Sequence, residues 1–108
     1  MTGEVGSSRE RSSLFLFRLQ PPRADFAQTM TETEQQVMAE HMDYWQQLLT
    51  DGRVLVYGPV ADPEGVWGMG VVRAESQQEA LLVGQSDPVV TSGVCTFDVM
   101  EIMGAKTA

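Results

Sequence analysis

The hydrophobic and polar positions of the chain fall into six segments of alternating type. Leu14 to Leu19 (LFLFRL) is a short run rich in Phe and Leu that Pro21-Pro22 stops, which suits a strand better than a helix. Thr31 with Glu34 forms a capping box, with Thr33 and Gln36 as an alternative, and helix-favouring residues continue from there to Leu49. Asp51-Gly52 closes this helix, because glycine readily takes the left-handed conformation found past a helix end. Arg53 to Tyr57 (RVLVY) reads as a second strand, stopped at Gly58-Pro59, and a turn follows through Ala61 to Gly65. A third strand is expected from Val66 to Arg73. Gly68 and Gly70 stand two apart in it, on one sheet face, where a helix, a ligand or another backbone can approach closely. Ser76 with Glu79 caps a short second helix that ends near Gly84 to Ser86, and Asp87-Pro88 marks a turn. Val94 to Met103 is the last expected strand, and Cys95 falls inside it.

The order βαββαβ is that of the split-βαβ, ferredoxin-like α+β fold, a four-stranded antiparallel sheet with two helices on one face. In the first strand Phe15, Phe17 and Leu19 alternate with the equally apolar Leu14 and Leu16. A sheet covered by helices on one side only does not need both sets. The second face is therefore expected to be buried against the same face of another copy, as a homodimer. Residues 13–104 form one domain in this reading, with a flexible polar tail at 1–12 and a short tail at 105–108.

Composition narrows the function classes. The chain has 108 residues, 43% hydrophobic and 20% charged, which suits one globular domain. A formal net charge of -8 with seven scattered basic residues argues against nucleic acid as a partner. No apolar run approaches the roughly 20 residues of a membrane span, and the polar start lacks the blocks of a signal peptide. The lone Cys95 allows no intrachain disulfide and reads as an apolar filler, so a cytoplasmic location is expected.

Candidate chemistry centres on the single histidine. Val37 lies four residues before His41, and Tyr44 and Leu48 lie three and seven after it, so His41 is on the core-facing stripe of the first helix. A titratable ring there needs a partner, and Asp87, held in its Asp-Pro turn, is the best candidate by residue type. A carboxylate on one ring nitrogen would fix the tautomer and leave the other nitrogen for proton transfer. The plainer alternative is a histidine that bridges elements inside the core and an aspartate that orders its own turn. Trp67 and Trp45 are candidates to line a pocket or to pack a core, Tyr57 brings a hydroxyl near Gly58-Pro59, and Ser92 and Thr91 are rim candidates or backbone caps. Glu40 and Asp43 flank His41 on other helix faces and are expected in solvent. One histidine and one cysteine do not make a zinc site, and no metal or cofactor is expected. An axial haem role for His41 is not separable from proton transfer by sequence.

Two stretches, EHMDYWQQLLTDGRVLVYGP and QSDPVVTSGV, resemble the YCII-related (YciI-like) domain family, small dimeric proteins of the dimeric α+β barrel group. The features that carry the resemblance are His41, Gly52-Arg53, Gly58-Pro59, Asp87-Pro88 and Gly93. The resemblance implies an active site built on a His/Asp pair, here His41 and Asp87; Tyr57, Gly58, Pro59, Trp67 and Ser92 are the expected ligand-binding residues around it. Some relatives are lyase-like or dehydrochlorinase-like enzymes acting on small cyclic metabolites, so a lyase or isomerase reaction is expected. The alternative is a non-catalytic homodimeric module that binds a small ligand or serves as structure. The GVWGMG sequence of the third strand departs from the family pattern.

Overall fold

The structure, a computed structural model, describes residues 12–108. The expected tail at 1–12 lies, apart from Ser12, outside the described residues. The element order is β1 (Ser13–Gln20), α1 (Phe26–Thr29), α2 (Glu32–Thr50), β2 (Val54–Val60), β3 (Trp67–Ala74), α3 (Gln77–Gln85), α4 (Pro88–Thr91) and β4 (Thr96–Ile102). The strands form one antiparallel sheet in the order β2-β3-β1-β4, so β3 lies between β1 and β2 and splits the βαβ unit. This is the ferredoxin-like α+β fold that the element order implied.

Alternation in β1 sorts its side chains by face. Phe15, Phe17 and Leu19 are buried beneath the helices, and the register sets them opposite Val72, Gly70 and Gly68 of β3. Leu14 and Leu16 point the other way, in register with Arg73 and Val71 and with Ile102 and Met100. Arg18 shares that open face and makes a two-pronged ion pair with Asp98 of β4, both contacts at 2.9 Å.

α2 begins as its cap residues dictate. The Thr31 hydroxyl accepts from the Glu34 backbone N–H, and the Glu34 carboxylate accepts from the Thr31 N–H, so both arms of the capping box are closed. The Thr33 alternative is not used. Gly52, with φ of 79°, follows the helix end in the left-handed region. α3 has only half the expected box: Ser76 accepts from the Glu79 N–H, but the Glu79 carboxylate takes the N–H of Glu75 instead.

The structure corrects several boundaries. β2 continues through Gly58-Pro59, since it is an edge strand and a proline without an N–H is tolerated there. β3 begins at Trp67 and ends at Ala74, one residue later at each end than the expected 66–73. β4 starts at Thr96, so Cys95 precedes the strand, and its N–H donates to the Val89 carbonyl at 2.9 Å. The turns at residues 26–29 and 88–91 close into single helical turns, too short for a periodic apolar pattern to announce.

Two close approaches seat the helices. A Cβ on Gly70 would stand 2.6 Å from Cζ3 of Trp45, so the bare β3 backbone is what lets the α2 indole lie on the sheet. A Cβ on Gly84 of α3 would run into the Phe97 ring of β4. Phe17 packs between these two contacts, its ring centroid 4.6 Å from Trp45 and 5.3 Å from Phe97. No described helix is long and apolar enough to cross a membrane.

Candidate active site

α2 turns His41, Trp45 and Leu48 inward, and Val37 and Tyr44 are half-buried beside them. The Asp87 side chain arrives from the other end of the chain, at the N-cap of α4, and is fully buried. Its Oδ1 accepts the Val89 N–H at 3.0 Å, which fixes the carboxylate plane through its own helical turn. Oδ2 accepts Nδ1 of His41 at 2.7 Å and Nε1 of Trp45 at 2.7 Å. Three donors thus satisfy a carboxylate that has no solvent. Against an ionised carboxylate Nδ1 of His41 is the donor in this contact, an arrangement that in the neutral ring leaves the lone pair on Nε2. The plainer role expected of Asp87, ordering its own turn, is met by one of its oxygens, and the histidine is served by the other.

His41 also lines a cavity of about 230 Å³. Phe17 and Leu19 of β1, Tyr57, Gly58 and Pro59 of β2, and Trp67, Gly68 and Met69 of β3 form its sheet side. Met38, Met42 and Trp45 come from α2, and Phe26, Ala27 and Met30 from the segment around α1. Tyr57 lies against Trp45, with ring centroids 6.1 Å apart, and its hydroxyl donates to Oε1 of Gln46 at 3.1 Å. Trp67 is held by the β2–β3 turn, where Asp62 takes the indole N–H on one oxygen (3.1 Å) and the Glu64 N–H on the other (2.9 Å). Arg23 clamps α1 from outside: its guanidinium donates to Glu34, to the Thr29 hydroxyl and to the Thr29 carbonyl.

Of the residues singled out by sequence, His41, Tyr57, Gly58, Pro59 and Trp67 meet at this cavity, and Asp87 stands behind His41 rather than in the wall. Ser92 does not line it. It is the exposed C-cap of α4, and its hydroxyl turns back to the Val89 carbonyl. Cys95 does line it, and burial, followed by the nearby Asp87 charge, pushes its thiol up to about 11, so it stays protonated at neutral pH. Glu40 and Asp43 are exposed. Sequence reasoning missed the second side-chain donor to Asp87. The sequence offers Trp45 only as a packing or pocket residue, although a buried indole N–H requires a partner and Trp45 lies one turn from His41 on the same face. The α1 wall had no signal beyond the isolated Phe26. Among the described residues, no three His, Cys, Asp or Glu side chains converge as metal ligands would.

Comparison with known proteins places this geometry in a family. The chain is 33% identical over 67 residues to the uncharacterized protein YjpA of Bacillus subtilis (strain 168), covering 62% of this chain and 76% of YjpA. Its fold matches the solved structure of 5-chloro-2-hydroxyhydroquinone dehydrochlorinase (TftG) from Burkholderia phenoliruptrix AC1100, in complex with 2,5-dihydroxybenzoquinone. The TM-score is 0.63 and the identity 18%, over 85% of this chain and 95% of that one. The model of the YCII-related domain matches residues 15–103, nearly all of the sheet and both long helices, and the chain belongs to that family.

Proposed function

We propose that the protein is a small-molecule enzyme of the lyase or isomerase type in which His41 moves a proton at Nε2 and Asp87 orients and balances the ring. The observation that carries this reading is the buried 2.7 Å contact of His41 Nδ1 with Asp87 on a histidine that also lines a cavity. A carboxylate behind the ring holds the tautomer with Nε2 free and stabilises the imidazolium that forms when Nε2 takes a proton. Elimination and isomerisation need little more than a well-placed base, whereas acyl transfer also needs a nucleophile and an oxyanion site. The only thiol in the wall, Cys95, is held protonated. The activity named for TftG, a dehydrochlorinase found with a ring compound bound, supports the lyase class and sets the first compounds to screen.

The same proposal includes a homodimer joined through the open face of the sheet. Leu14, Leu16, Val56, Val71 and Met100 share that face by register, and Val56 and Met100 remain 49% and 45% exposed. The free buried thiol suits a cytoplasmic setting.

The test is turnover. On the first ring compound found to react, His41→Gln is expected to lower kcat by about 10²- to 10⁴-fold with the ligand still bound. Full turnover by a folded His41→Gln protein overturns the catalytic reading. Ligand binding without turnover in any screen points to a binding module instead.

A further inference from the structure

We infer that the substrate is an uncharged, flat ring compound that presents a single acidic O–H or C–H to His41, and that carboxylate- or phosphate-bearing analogues are excluded. This rests on the cavity being the substrate site of the reading above and goes beyond it by naming the substrate class.

The side-chain donors of the wall are nearly all spent. Trp45 gives its N–H to Asp87, Trp67 gives its N–H to Asp62, and the Tyr57 hydroxyl donates to Gln46. The Cys95 thiol is a weak donor kept neutral. What remains among the described side chains is His41, as the one strong proton acceptor, and the acceptor side of the Tyr57 hydroxyl, so recognition has few polar points in an aromatic and aliphatic enclosure. Aromatic faces and methionine sulfur favour a flat, polarizable ring.

Charge decides the rest. No Lys or Arg is among the described residues of the wall. Arg23, the basic residue of the neighbouring segment, is engaged by Glu34 and Thr29, while Arg18 is tied to Asp98 on the opposite sheet face. The nearest buried ion is the Asp87 carboxylate, one imidazole ring away from the cavity. An anionic ligand would lose its hydration, find no cation and face a like charge. A neutral acid avoids all three. On reaction its proton passes to Nε2, the electron pair of the broken O–H or C–H bond stays on the substrate, and the new imidazolium is paired with Asp87.

Three probes of matched shape test this on the full chain at pH 7.5: 2-naphthol, 6-(hydroxymethyl)-2-naphthol and 6-hydroxy-2-naphthoate. Binding is followed by tryptophan emission and by the NMR signals of the His41 ring, unambiguous because the chain has one histidine. The expected result is that both neutral compounds bind and shift the His41 signals, while the carboxylate binds roughly tenfold or more weaker. The size-matched alcohol separates charge from bulk. A carboxylate that binds as tightly as the alcohol overturns the inference, as does neutral binding that leaves the His41 signals unmoved, or no neutral binding up to millimolar concentration. These readouts are independent of turnover, so a His41→Gln protein that stays active would remove the proton-transfer role and leave the charge selectivity to stand or fall by itself.

Discussion

Asp87 is held by donors from two separate parts of the chain, and losing one of them has a calculable cost. Trp45→Phe keeps an aromatic ring on α2, shortens its reach over Gly70 and withdraws the indole N–H from Oδ2. A hydrogen bond to a charged, buried group is worth about 1.5–3 kcal/mol, so the variant is expected to lose at least that much stability, with the packing lost over Gly70 added to it and an unchanged m-value. His41 is then the last side chain on Oδ2. Its tautomer should persist, which ¹⁵N NMR of the ring checks, whereas Asp87→Asn should let the proton distribute between Nδ1 and Nε2. The His41–Asp87 pair was legible in sequence because a lone histidine on an apolar stripe and an aspartate before proline are each unusual. Trp45 as a donor was not, because nothing along the chain says which of several nearby carboxylates its N–H will meet.

At the level of elements, α1 depends on a latch. Arg23 joins α1 to the N-terminus of α2 through Thr29 and Glu34, and the guanidinium, followed by the Thr31 N–H, lowers the Glu34 carboxyl to about 2. A carboxyl whose folded pKa lies below its unfolded value stabilises the fold above the unfolded value and loses that contribution as pH falls. The acid limb of a stability curve from about pH 4.5 to 2 should therefore flatten in Glu34→Gln, as thermal melts across that range would show. Arg23→Ala should weaken ligand binding more than it lowers the melting temperature, since Phe26, Ala27 and Met30 form a cavity wall that α1 positions. The Thr31 cap and the Gly52 stop could be read residue by residue, because both signals are local. The path of β2 beyond Gly58-Pro59 could not, since whether a proline ends a strand depends on which strands lie beside it, and that is settled by the whole sheet.

The molecule as a whole leaves one apolar sheet face open, with the Arg18–Asp98 pair joining the inner strand β1 to the edge strand β4 on it. Leu16→Asp places a charge between Val71 and Met100 and should convert the proposed dimer to a folded monomer, with sedimentation velocity reading the mass and circular dichroism the fold. A folded Leu16→Asp protein that sediments as the wild type does would remove this face as the interface. The apolar character of both sides of β1 was plain in the sequence, but the pairing of strands that makes Leu16, Val71 and Met100 neighbours was not. One consequence of the buried Asp87 carboxylate concerns time rather than geometry. Its three hydrogen bonds span residues 41 to 89, so the chain must complete its second helical half before Trp45 has anything to donate to. The indole proton is then a clock on the entire fold: it should exchange with deuterium only when the protein unfolds globally, at the rate of the slowest backbone amides of β1 and β3. A hydrogen-bonded cluster with that property does not breathe independently of its scaffold, and its geometry survives for as long as the molecule stays folded.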